Sequence, residues 1–171
     1  MNLGQLIQEL PNSLAVRRKE LAAQLVGKNY NLTLLIPLIY EPEKVSSRFF
    51  WLLSDIAELA PEKLIEIQPK LFALRNETTY KNIRHSFSRY WSLYGINAAI
   101  EPDALDLLFK WLSDSNSTVS VKVHSMYALE KLVLKYPVIK SELVANIQEQ
   151  LGKSTASFDK TALKILNRLR D

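Results

Sequence analysis

Cysteine is absent from this 171-residue chain. That removes disulfides, thiol catalysis and thiolate metal sites together, and it fits a reducing compartment. There are only four glycines, which argues against a fold rich in loops or strands. Only two histidines occur, His85 and His124, and nothing near them supplies further ligands at metal-motif spacing. No glycine-rich phosphate loop and no nucleophile elbow for Ser/His/Asp chemistry is present, so neither a cofactor nor a catalytic set is expected. The most apolar segment, 32–40, is too short to span a bilayer and contains Thr33 and Pro37. The first eleven residues lack the basic region and long apolar run of a signal peptide. A cytoplasmic protein without membrane association is therefore expected. The charge of one sign is also in short supply: 22 basic residues stand against 18 acidic ones, a net of +4. That points weakly to an anionic partner, since a dedicated nucleic-acid binder shows a denser basic stripe.

What is present is a repeat. An apolar position followed by positions 4, 7, 8 and 11 beyond it recurs at intervals of 38, 38 and 37 residues. The sets are Val45, Phe49, Leu52, Leu53, Ile56; Ile83, Phe87, Tyr90, Trp91, Tyr94; Val121, Ser125, Ala128, Leu129, Leu132; and Phe158, Ala162, Ile165, Leu166, Leu169. At 3.6 residues per turn each set forms one stripe on a helix, and a period of this length marks stacked helical pairs. The expected helices are 3–10, 13–27, 31–40, 43–60, 62–75, 78–95, 102–113, 117–136, 140–151 and 156–170. Pro42, Pro61 and Pro102, each followed by an acid, suit first helical turns. Asn116-Ser117 and Ser154-Thr155 supply N-cap oxygens, and Gly27, Gly95 and Gly152 fall where helices should stop. No linker or low-complexity tract interrupts the chain, so residues 1–171 are read as a single domain. Its helices alternate between a first and a second member of each pair, the second carrying the stripe.

The stretch Leu107-Leu108-Phe109-Lys110-Trp111-Leu112-Ser113-Asp114 leads through Val121-Lys122 into Ala128-Leu129-Glu130-Lys131-Leu132. It resembles a HEAT repeat, in which the first helix ends in an aspartate turn and the second opens with a valine–basic pair. Ile83-Arg84 fits that pair, Val45-Ser46 loses the base, and Phe158-Asp159 reverses its charge. The resemblance covers about residues 31–170. It implies an all-α fold, a right-handed α-α superhelix of about four to five antiparallel helix pairs. HEAT-like arrays serve many functions, so the resemblance leaves the function open.

In such arrays the second helices line a concave surface. Position 6 of the register holds Trp51, Arg89 and Tyr127, position 3 holds Arg48, Ser86 and His124, and position 5 holds Phe50, Ser88 and Met126. Aromatic anchors mixed with arginine are the composition of interface hot spots; packing against neighbouring helices is the competing explanation. Arg48, Trp51, Arg89, His124 and Tyr127 form the candidate binding site, for a protein or peptide, acidic by preference. Lys81, Arg84, His85 and Arg89 lie in a run with no acid, while the interleaved Phe87, Tyr90, Trp91 and Tyr94 read as core beside the small Ser125 and Ala128. Asp55 and Glu58 could share acid/base work, against a solvated face with an Arg48–Asp55 contact. The alternatives to a non-catalytic binding scaffold are two. One is a DNA-binding protein similar to bacterial alkylation-repair glycosylases, with Trp51, Asp55, Arg89 and Trp91 inside a basic face. The other is a structural subunit of a larger assembly.

Overall fold

A computed structural model describes residues 3–170; residues 1, 2 and 171 of the expected domain lie outside the described residues. The described chain is all-helical and contains no strand. It divides into two compact units, Met1–Ser86 and Phe87–Asp171.

The first unit contains α1 (Leu3–Glu9), a 3-10 turn (Leu10–Asn12), α2 (Ala15–Gly27), a 3-10 helix (Leu32–Tyr40), α3 (Glu43–Leu59), α4 (Pro61–Ala73) and the first turn of α5 (Ile83–Tyr94). At its centre is α3, which packs on α2, α4 and the 3-10 helix. All five of its stripe residues, Val45, Phe49, Leu52, Leu53 and Ile56, are buried. The segment expected as a helix over 31–40 winds as 3-10. Pro37 lies inside it, and a proline there lacks the N–H of an α-helical turn and crowds the carbonyl four residues back. The Asn31 side chain caps this segment by accepting from Thr33 N at 3.0 Å.

The helix expected from residue 78 begins only at Ile83. Before it, threonine hydroxyls draw the chain into other bonds, as threonine does at turns. Thr79 N donates to Ile39 O at 3.1 Å, and Thr78 Oγ1 donates to the same carbonyl at 3.2 Å. Tyr80 is buried and stacks on Phe50, with ring centroids 5.3 Å apart.

The second unit contains the remainder of α5, α6 (Glu101–Ser113), α7 (Val119–Lys135), a 3-10 turn (Pro137–Ile139), α8 (Lys140–Gln150) and α9 (Ala156–Arg170). In it α7 packs on α6, α8 and α9, and α8 packs on α6 and α9. The α7 and α9 stripes are buried along their whole length. Phe87, Tyr90 and Trp91 of α5 are buried too, and Trp91 stacks on Trp111 at 5.5 Å with rings nearly parallel. Gly95 and Gly152 adopt positive φ, +102° and +72°, just past the ends of α5 and α8, the backbone state that ends a helix most cheaply in glycine. The cap of α7 is Thr118, whose Oγ1 accepts from Val121 N at 3.4 Å. Ser117, expected to contribute, keeps its Oγ buried without a hydrogen-bond partner.

Candidate functional site

The five candidate residues fall into two sets, Arg48 and Trp51 in the first unit and Arg89, His124 and Tyr127 in the second.

In the first unit the site is built on α3 against α2. Trp51 is 41% exposed, although it stands in a helix whose neighbouring positions are core. Two guanidinium groups flank its ring: Arg48, one turn earlier on α3, lies 4.4 Å from the ring centroid, and Arg18 of α2 lies 5.4 Å away. A planar cation over an indole face is attracted by the ring quadrupole. The two arginines differ in what else they do. Arg18 is tied to Asp55, its Nε donating to Oδ2 and its Nη2 to Oδ1, and Asp55 is only 5% exposed. Arg48 has no carboxylate partner among the described residues; its contact is Trp51. The expected Arg48–Asp55 contact is thus replaced by Arg18–Asp55. Glu58 is likewise engaged, accepting from Lys19 Nζ at 2.8 Å. Both oxygens of Asp55 are therefore occupied by one guanidinium, and the Asp55–Glu58 pair is divided between two cations of α2.

In the second unit His124 Nδ1 lies 2.9 Å from Ser92 Oγ. The Ser92 hydroxyl also lies 2.9 Å from the Arg89 carbonyl, so Ser92 joins its own helix, α5, to His124 of α7. Lys131 Nζ bonds the Ser92 carbonyl, adding a second tie between α5 and α7. Arg89 is half-buried and has no carboxylate partner among the described residues. Tyr127 is also half-buried. Hydrogen bonds to Glu130 are the main reason Arg168 holds its proton more tightly than usual, with Tyr127 a smaller contribution.

No protein-family model, curated protein or solved structure matches this chain. The functional reading therefore rests on the residues themselves. Phe50 and Met126 are corrected from candidate anchors to core: both are buried, and Phe50 lies against Phe49 and Tyr80. Lys81 is exposed but is shared with Glu43 at 3.7 Å, so the run 78–94 is less open than its lack of acids suggests. Trp91, buried against Trp111, offers no face to a ligand. Among the described residues no cluster of His, Cys, Asp or Glu could hold a metal ion, and no helix is long and apolar enough to cross a membrane.

Arg18 is the residue that sequence reasoning missed. A signal for it existed, since Arg18 and Asp55 are 37 residues apart and Lys19 and Glu58 are 39 apart. Opposite charges at about the spacing of the apolar pattern were candidates for pairing between α2 and α3.

Proposed function

We propose that this chain is a HEAT-like repeat scaffold that binds a protein or peptide segment on its second-helix face and catalyses nothing. The single observation that carries the reading is Trp51, exposed on α3 and stacked under an arginine that no carboxylate of the described residues neutralises. An aromatic held rigid by a cation loses little freedom on binding, and Trp with Arg is the pairing enriched at interface hot spots. The unpaired Arg48 favours carboxylates on the partner, because a planar guanidinium can meet a carboxylate with two parallel bonds. The contacts among α6, α7, α8 and α9 support the HEAT-like architecture, since like members of adjacent pairs touch as well as pair partners. A cytoplasmic setting goes with the absence of cysteine.

The test uses tryptophan fluorescence. Trp91 and Trp111 are buried, so iodide quenching reports chiefly on Trp51. An acidic synthetic peptide should protect Trp51 from iodide, and Trp51→Ala or Arg48→Ala should weaken its binding about 10- to 100-fold, the range of a hot-spot residue. Unchanged affinity in both variants, with intact circular dichroism, removes the α3 face from the proposal. Strong, salt-dependent binding to duplex DNA would replace it with the nucleic-acid reading.

A further inference from the structure

A second surface lies wholly within the second unit, where the last turns of α7 and α9 meet the start of α8. It is a groove of about 530 Å³ lined by Glu130, Lys131, Val133, Leu134, Lys140, Arg168 and Leu169. Val133 and Leu169 are buried and form an apolar floor, while Leu134 beside them is 86% exposed. A leucine this exposed contributes almost nothing to the core, yet it is available to cover an incoming apolar group. Val138, four residues further along, is exposed to the same degree.

The rim is electrostatically one-sided. Among the described residues that line it, Glu130 is the only acid, and both its oxygens are taken by Arg168, at 2.6 and 2.9 Å. This bidentate pair ties α9 to α7 and fixes the spacing of the groove walls. It also leaves no net negative charge there. Lys140 has no carboxylate partner among the described residues, and Lys131 bonds a backbone carbonyl rather than an acid. The uncompensated charge around the apolar floor is therefore positive.

We propose that this groove is a docking site for an acidic peptide segment carrying one apolar anchor of about leucine or phenylalanine size. The anchor rests on Val133, Leu134 and Leu169, and flanking carboxylates meet Lys131 and Lys140. Charge complementarity selects this occupant. The two next most exposed large apolar residues, Leu14 and Val16, are followed at once by Arg17, Arg18 and Lys19. A second copy docking through them would bring like charges to the lysine rim. Nucleic acid would leave the leucine floor unused. The proposal extends the peptide-binding reading to the second unit, but it depends on neither Arg48 nor Trp51.

The test titrates the isotopically labelled full chain by NMR with three synthetic peptides of about twelve residues. The first has a central leucine flanked by glutamates, the second has alanine for the leucine, and the third has lysines for the glutamates. The glutamate–leucine peptide should shift resonances at 130–140 and 166–170. The alanine peptide should bind at least about 10-fold more weakly, and the lysine peptide should not bind. Leu134→Asp and Lys140→Glu lie on exposed or half-buried side chains, so each should weaken binding about 10-fold and leave thermal unfolding unchanged. No shift in those segments at millimolar peptide, equal binding of the alanine peptide, or undiminished binding to Leu134→Asp overturns the proposal. Shifts confined to α3 would overturn it while upholding the Trp51 surface. Concentration-dependent self-association in sedimentation, abolished by Leu134→Asp, would overturn it in favour of a second copy as occupant.

Discussion

Asp55 is the sharpest place to separate a structural carboxylate from a functional one. Its side chain is 5% exposed and its partner Arg18 is 12% exposed. Asp55→Ala removes the carboxylate and leaves a guanidinium almost enclosed by protein. Breaking a buried pair from one side costs about 3–5 kcal/mol. Arg18 keeps some access to water and its contact with Trp51, so the lower end, about 3 kcal/mol, is expected. Replacing both partners by apolar residues, Arg18→Met with Asp55→Leu, leaves no orphaned charge and should cost no more than about 1 kcal/mol. For a urea slope of about 2 kcal/mol per molar, the single variant should lower the midpoint by about 1.5 M. The assay is urea unfolding followed by circular dichroism and by tryptophan emission, since Trp51 reports on the first unit while Trp91 and Trp111 report on the second. A loss below about 1 kcal/mol in Asp55→Ala, or a double variant as damaged as the sum of its parts, would refute the view that the pair's importance lies in mutual neutralisation.

Two further outcomes concern the second unit. Burial pushes the Glu101 carboxyl up, but hydrogen bonds from Lys135 and Tyr136 and the charge of Lys135 outweigh it, holding it below the ordinary glutamate value. Its stabilisation is therefore complete above the unfolded value of about 4.3 and is lost as pH falls through the lower folded value. Thermal unfolding should fall more steeply below about pH 4.3 in the natural chain than in Glu101→Gln, and parallel pH profiles would contradict this. Ser125, on the α7 stripe, is fully buried and its hydroxyl has no hydrogen-bond partner. Ser125→Ala should stabilise by about 1 kcal/mol in urea unfolding, because it relieves a buried unsatisfied group; a comparable loss would show that the hydroxyl is bonded after all.

The buried faces of three helices were legible in one periodicity. Offsets of 4, 7, 8 and 11 define a helix face, and their recurrence set the register of α3, α7 and α9, whose stripe residues are all buried. What escaped the register was anything decided by a neighbour. Phe50 and Met126 sit one position from Trp51 and Tyr127, and a stripe marks only one buried face of a helix that the packing covers on several sides. The late start of α5 was set by Ile39, a carbonyl about 40 residues upstream that takes the backbone N–H of Thr79 and the hydroxyl of Thr78. Propensity within 78–82 carries no trace of it.

A similar spacing separates the cations engaged within the fold from one that is not. Polar contacts recur at separations of 37 to 39 residues: Arg18 with Asp55, Lys19 with Glu58, Lys131 with the Ser92 carbonyl and Arg168 with Glu130. Each of the three ion pairs among them engages a cation in holding neighbouring helices together, so a ligand meeting that cation must displace a carboxylate, whereas Lys131 bonds a neutral carbonyl and keeps its charge unneutralised. Arg48 departs from the pattern. Among the described residues it pairs with no acid and stacks instead on the exposed Trp51 ring of its own helix. A ligand meeting Arg48 breaks no existing ion pair, whereas one meeting Arg18 must displace Asp55. The physical difference between two arginines on one tryptophan is thus a difference of role: Arg18 anchors the helix pair, and Arg48 is the side on which an acidic partner can gain a new contact without dismantling an old one.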